Sequence, residues 1–86
     1  MTLVVKKFGG SSVGSLDKIR YVASTIASDY NDGVKVVTVV SAMGDETDRL
    51  VRLVNDLDED YHGRELDAVL ATGEQVCAGL LAIAST

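Results

Sequence analysis

With 86 residues, 47% of them hydrophobic, the chain has a globular composition, but at this length it buries only about 60–65% of the surface it exposes when unfolded, so a thin core is expected. A formal net charge of −5, with basic residues dispersed apart from Lys6 and Lys7, argues against a nucleic-acid-binding face. Cys77 is the single cysteine, which excludes an internal disulfide and fits a reducing compartment.

The first element in the chain is a strand over Thr2–Phe8, rich in β-branched and aromatic residues and closed by two glycines. Its apolar part, Leu3 to Val5, is far too short for a signal peptide. No stretch approaches the ~20 apolar residues of a membrane span, so a soluble, cytoplasmic protein without membrane contact is expected.

The run Lys6-Lys7-Phe8-Gly9-Gly10-Ser11-Ser12-Val13-Gly14 follows at the strand's end. Glycines let backbone approach a ligand closely, and the N–H groups that open a helix lack partners and carry partial positive charge. A lysine adds the point charge that phosphate needs. From Gly9 the letters copy the spacing of a P-loop but lack its lysine after the last glycine, and the adjacent glycines fail the dinucleotide fingerprint G-x-G-x-x-G. What remains is a phosphate loop whose lysine precedes its glycines, or else an ordinary strand-to-helix turn with an exposed lysine.

Leu16, Ile19, Val22, Ala23, Ile26, Ala27 and Tyr30 recur at helical spacing and predict an amphipathic helix from about Ser15 to Asp29, with Ser15 as N-cap and Asp17 in the first turn. Asn31-Asp32-Gly33 ends it. Val34–Val40 is almost wholly apolar, as expected for a central strand covered on both faces of a parallel sheet.

A second helix is predicted from about Thr47 to Asp58, with Leu50, Leu53, Val54 and Leu57 on one face. Asp56, Asp58, Glu59 and Asp60 oppose its dipole and read as a solvated, fraying turn rather than a metal site. His62 reads as an exposed loop residue. Arg64–Leu70 and Gln75–Ala84 both look helical, with Ala71-Thr72-Gly73-Glu74 as a break between them and Val76, Leu80 and Ile83 buried with Leu66, Val69 and Leu70. Cys77 reads as a small buried hydrophobe.

Two strands joined through a helix of this length are parallel, so both end on the same edge of the sheet. The segment Ser41–Thr47 then lies beside Lys7–Gly10 at the carboxyl edge, where open α/β folds place their ligands. It brings the hydroxyls of Ser41 and Thr47 and a second helix N-terminus.

K-F-G-G-S-S-V-G from Lys7, V-S-A-M-G-x-x-T-D-x-L from Val40 to Leu50 and L-A-T-G-E-Q from Leu70 to Gln75 together resemble aspartate kinase, over essentially the whole chain and in order. Lys7 and the glycine pair alone would match the wider amino acid kinase family, including carbamate and acetylglutamate kinases. The resemblance implies transfer of the γ-phosphoryl of ATP, with Mg2+ brought by the nucleotide, to the side-chain carboxylate of L-aspartate, on the route to lysine, threonine and methionine. By motif match Lys7 neutralises the phosphoryl group in flight and the N–H groups of Gly9 and Gly10 hold its oxygens. Ser41 lies where nucleotide and acceptor meet, Thr47 with the stretch Asp45–Arg49 contacts aspartate, and Glu74 takes its α-amino group. Plainer readings are an N-cap for Thr47 and a first-turn acid for Glu74. Ser11 stands where threonine is commoner, and Phe8 is assigned to packing.

The resemblance also implies an α/β fold: part of a three-layer αβα amino acid kinase domain with a parallel sheet. Residues 1–86 correspond to its N-terminal, phosphoryl and acceptor side. The nucleotide-binding half, the ACT domains and the downstream arginine, aspartate and lysine have no counterpart here. A truncated chain, inert or very weakly active by itself and completed by a missing C-terminal half or as a homo-oligomer, is therefore expected. Two alternatives are a noncatalytic remnant or interaction module that pairs with another chain through its sheet edge, and a different amino acid kinase, which the second and third motifs disfavour.

Overall fold

The computed structural model describes residues 2–86. Strand β1 spans Thr2–Phe8 and strand β2 spans Val34–Val40, both where the β-branched runs predicted them. They pair in parallel, in register from Thr2 opposite Val34 to Phe8 opposite Val40. The crossover is helix α1, Leu16–Asn31, two residues longer than expected at its C-terminal end. Its N-cap is Ser15, whose hydroxyl accepts from the Lys18 amide at 3.2 Å. Gly33, at φ +84°, supplies the left-handed turn into β2 that a side chain resists.

Helix α2 spans Glu46–Leu57 and helix α3 spans Arg64–Ala84. The latter corrects the sequence reading, because a single 21-residue helix replaces two short helices and a break. Thr72 stays helical with its hydroxyl donating to the Val69 carbonyl at 2.6 Å, and Gly73 is buried within the helix. Read as two pieces, this segment contains no candidate span. As one helix, it is long and apolar enough to cross a membrane by length and composition alone, contrary to the sequence expectation.

Helices α1 and α3 lie on one face of the sheet. Phe8 and Val40 from that face join Ile26 around the buried cluster of Val13, Ile19, Val22, Ala23, Cys77 and Leu81. The opposite face carries Leu3, Val5, Val37 and Val39, all close to half exposed or more. β2 is therefore covered on one face only, where a strand covered on both was expected. The two strands are the whole sheet among the described residues, and no layer lies beyond the second face.

The inward stripe of α3 is also rotated from the expected one. Gly73, Cys77 and Leu81 are buried, whereas Val76 and Ile83 are exposed. Tyr30, Leu53 and Leu57, each placed on an inward helical face by periodicity, are exposed as well. The radius of gyration is 15.3 Å, against about 12 Å for a compact domain of this length, so the fold is extended around a small core.

Candidate functional site

β1 and β2 end on the same edge of the sheet, and the chain leaves both toward one place. The Ser41 amide donates to the Phe8 carbonyl at 3.2 Å, and the Gly44 amide donates to the Gly10 carbonyl at 2.9 Å. The two loops expected to be neighbours are thus hydrogen-bonded to each other. Their approach is close enough to require glycine at Gly10, where a Cβ atom would stand 3.1 Å from the Ala42 carbonyl oxygen and 3.2 Å from that of Gly44. Gly44 itself takes φ +50°, which few side chains tolerate.

Gly9 is extended, and a short 3-10 turn over Gly10–Val13 precedes the N-cap of α1. The glycines therefore do not open α1 directly. Within this turn the Ser12 amide donates to the Gly9 carbonyl at 3.0 Å, while the N–H groups of Gly9, Gly10 and Ser11 find no acceptor among the described residues. Lys18 reaches back to donate to the Ser11 carbonyl at 2.9 Å, fastening the turn to α1.

The two lysines before the turn have different fates. Lys6 stands on the helix-covered face and is paired with Asp29 of α1. Lys7 stands on the open face, is exposed, and makes no ion pair or hydrogen bond among the described residues. An unpaired ammonium at the end of the strand that leads into three free backbone donors is a set of groups that can neutralise and hold an anionic oxygen cluster.

Ser41 is half-buried at the junction of the loops. Thr47 is exposed in the first turn of α2, and the N-cap position there belongs to Asp45, so Thr47 is not the cap. Two residues further along α2, Arg49 is committed to Glu46, donating from Nε at 3.0 Å and from its terminal nitrogen as well. The Arg49 hydrogen bond holds the Glu46 carboxyl below its usual range and raises the guanidinium in return.

Glu74 is exposed on α3, in mid-helix rather than at a break, so neither a first-turn role nor a loop position applies to it. Its neighbour Gly73 brings α3 against the loop. A Cβ there would lie 3.1 Å from the Ala42 Cβ, 3.3 Å from Leu50 Cδ1 and 3.4 Å from Glu46 Cγ. Sequence reasoning took Gly73 for a breaker and did not single out Ala42, yet Gly73 falls in phase with Leu66, Leu70, Cys77 and Leu81, which marks an inward-facing stripe.

No group of three or more His, Cys, Asp or Glu side chains among the described residues could hold a metal ion. Cys77 is fully buried, and burial pushes its thiol up. It is a packing residue, remote in character from an activated nucleophile.

Comparison with known proteins gives this geometry a lineage. The chain is 47% identical over 83 residues to an aspartokinase of Geobacillus stearothermophilus, a match that covers 96% of this chain and 20% of that one. It is 49% identical over 84 residues to aspartokinase 2 of Bacillus subtilis, covering 98% of this chain and 21% of that one. The crystal structure of aspartate kinase from Synechocystis superposes with a TM-score of 0.94 at 45% identity, over 98% of this chain and 14% of that one. The chain thus spans about a fifth of the length of the curated relatives it matches. The pattern of the amino acid kinase family matches residues 2–85, nearly the whole sequence, and the chain belongs to that family.

Proposed function

We propose that residues 1–86 form the phosphoryl and acceptor side of an aspartate kinase, which transfers the γ-phosphoryl group of ATP to the side-chain carboxylate of L-aspartate. The observation that carries this reading is that Lys7 has no partner and that, just after it in the chain, the N–H groups of Gly9, Gly10 and Ser11 have no acceptor, among the described residues. Phosphoryl transfer needs little covalent help from a protein. Positioning and charge stabilisation do most of the work, so a site with a lysine and backbone donors but no nucleophile is equipped for it.

In this reading Lys7 balances the charge that builds on the transferred phosphoryl group, and Gly9 and Gly10 hold its oxygens. Ser41 stands between nucleotide and acceptor, Thr47 contacts the acceptor and Glu74 binds its α-amino group. Mg2+ arrives with ATP, and no step is assigned to a protein-held cation. The names of the similar chains support aspartate as the acceptor, and a cytoplasmic location goes with a biosynthetic enzyme of this kind. The nucleotide half and any ACT domains belong to a further segment or to a different chain, and the 86-residue chain alone is inert.

Thermal unfolding of the chain with inorganic phosphate, L-aspartate, L-glutamate and carbamate tests this, because a ligand that binds only the folded state raises its apparent stability. Stabilisation by phosphate and L-aspartate, with none by carbamate, is the expected outcome. A kinase rate equal to that of a full-length aspartokinase from these 86 residues would refute the inertness, and stabilisation by carbamate in place of aspartate would refute the acceptor.

The open sheet face of Leu3, Val5, Val37 and Val39 favours a second reading, a noncatalytic module that pairs with another chain. Concentration-dependent association with no response to phosphate or aspartate would select it.

A further inference from the structure

Ala42 is 3% exposed and lies between two glycines from distant parts of the chain. On one side its carbonyl oxygen crowds the position of a Cβ on Gly10, and on the other its methyl group crowds that of a Cβ on Gly73, each at 3.1 Å. Gly10 belongs to the anion-holding turn, and Gly73 directly precedes Glu74. We propose that Ala42 is a one-methyl spacer that sets the gap between the Gly9–Ser11 turn and helix α3. Gly73 is then a positioning residue for Glu74. This rests on the reading of Glu74 as an acceptor contact.

The contacts differ in kind, and that difference makes the idea testable. The obstacle at Gly73 is chiefly a side chain, the Ala42 methyl, with the movable ends of Leu50 and Glu46 behind it. The obstacles at Gly10 are backbone carbonyl oxygens of Ala42 and Gly44. Removing the Ala42 methyl therefore makes room at Gly73 and none at Gly10. Helix propensity alone favours alanine over glycine inside α3, so a loss of stability on Gly73→Ala has the opposite sign to the ordinary expectation. Gly79 in the same helix has nothing within 4 Å of its missing Cβ and serves as the control.

The test uses the 86-residue chain, followed by thermal unfolding and by amide spectra of 15N-labelled protein. Gly79→Ala is expected to raise the unfolding temperature. Gly73→Ala is expected to lower it and to shift the amides of Ala42, Thr47 and Glu74. Ala42→Gly combined with Gly73→Ala is expected to return both readouts toward the parent, while Ala42→Gly combined with Gly10→Ala recovers nothing. L-aspartate affinity should fall in Gly73→Ala and recover in the rescued variant.

Gly73→Ala as stable as Gly79→Ala, or an unrescued double variant, overturns the spacer. Should Gly73→Ala fail to fold, the double variant decides alone: folded supports the spacer and unfolded overturns it. L-aspartate that shifts no amide of the parent chain overturns the acceptor reading of Glu74, and the ligand-free rescue still decides the spacer.

Discussion

Lys6 and Lys7 are adjacent in sequence but stand on opposite faces of β1, the first paired with Asp29 and the second free. The division separates a structural cation from one available to a ligand. Lys7→Met should change the unfolding free energy by less than about 0.5 kcal/mol yet abolish stabilisation by inorganic phosphate. Lys6→Met should cost about 0.5–1 kcal/mol, as loss of a partly exposed ion pair does, and keep the phosphate response. Urea unfolding with and without phosphate measures both, and the reverse pattern would remove Lys7 from the site.

At acid pH the Glu46–Arg49 pair makes a distinct contribution. Because the Arg49 hydrogen bond lowers the Glu46 pKa in the folded chain, the pair stabilises above the ordinary glutamate value of about 4.3. That contribution disappears as pH falls through the depressed value. Glu46→Gln should therefore narrow its stability gap to the parent as pH drops through that window. The effect is small for an exposed pair and shrinks in high salt. A gap that widens with acid would show the opposite linkage.

Cys77 gives the matching test on the alkaline side. Burial raises its pKa when folded, so the unfolded thiol ionises first and stability declines as pH climbs past about 8.5 toward the raised value. Cys77→Ala should lose this part of the decline while costing about 1 kcal/mol at neutral pH for an underfilled core site. Iodoacetamide should label the folded thiol much more slowly than the unfolded one, and equal rates would mean that the thiol is not buried in solution.

Val37 tests the open face of the sheet. It is 48% exposed, beside Val39 and opposite Val5 in the parallel register. On the reading in which this face pairs with another copy, Val37→Lys should leave the monomer's unfolding free energy within about 0.5 kcal/mol and reduce association seen by sedimentation. An unchanged association constant would move the contact elsewhere on the surface.

Much of this architecture was legible from local signals. The strands were bounded by their β-branched runs and by Gly9 and Gly33, Ser15 declared the start of α1, and the crossover length forced the parallel pairing. From that pairing alone came the meeting of the two loops, now seen in the Gly44–Gly10 bond. α3 was misread because glycine weakens a helix locally, whereas here Gly73 is packed closely against Ala42, Leu50 and Glu46, a tertiary fact with only a phase signature in the sequence. The exposure of Val76, Ile83 and Leu57 escaped the reading because periodicity finds an apolar face without saying whether anything covers it. Asp45 stands at the N-cap in place of Thr47, directly after Gly44, whose amide is bonded to the Gly10 carbonyl, a tertiary contact that the local sequence does not announce.

The unbroken course of α3 has a mechanical consequence. Twenty-one helical residues make a rod about 31 Å long, and Glu74 rides near its middle. A carboxylate mounted there cannot swing in and out like one on a hinged flap. With Glu74 as the proposed acceptor contact, a longer or shorter amino acid would have to displace the whole strut, and discrimination by size would come from stiffness rather than from closure.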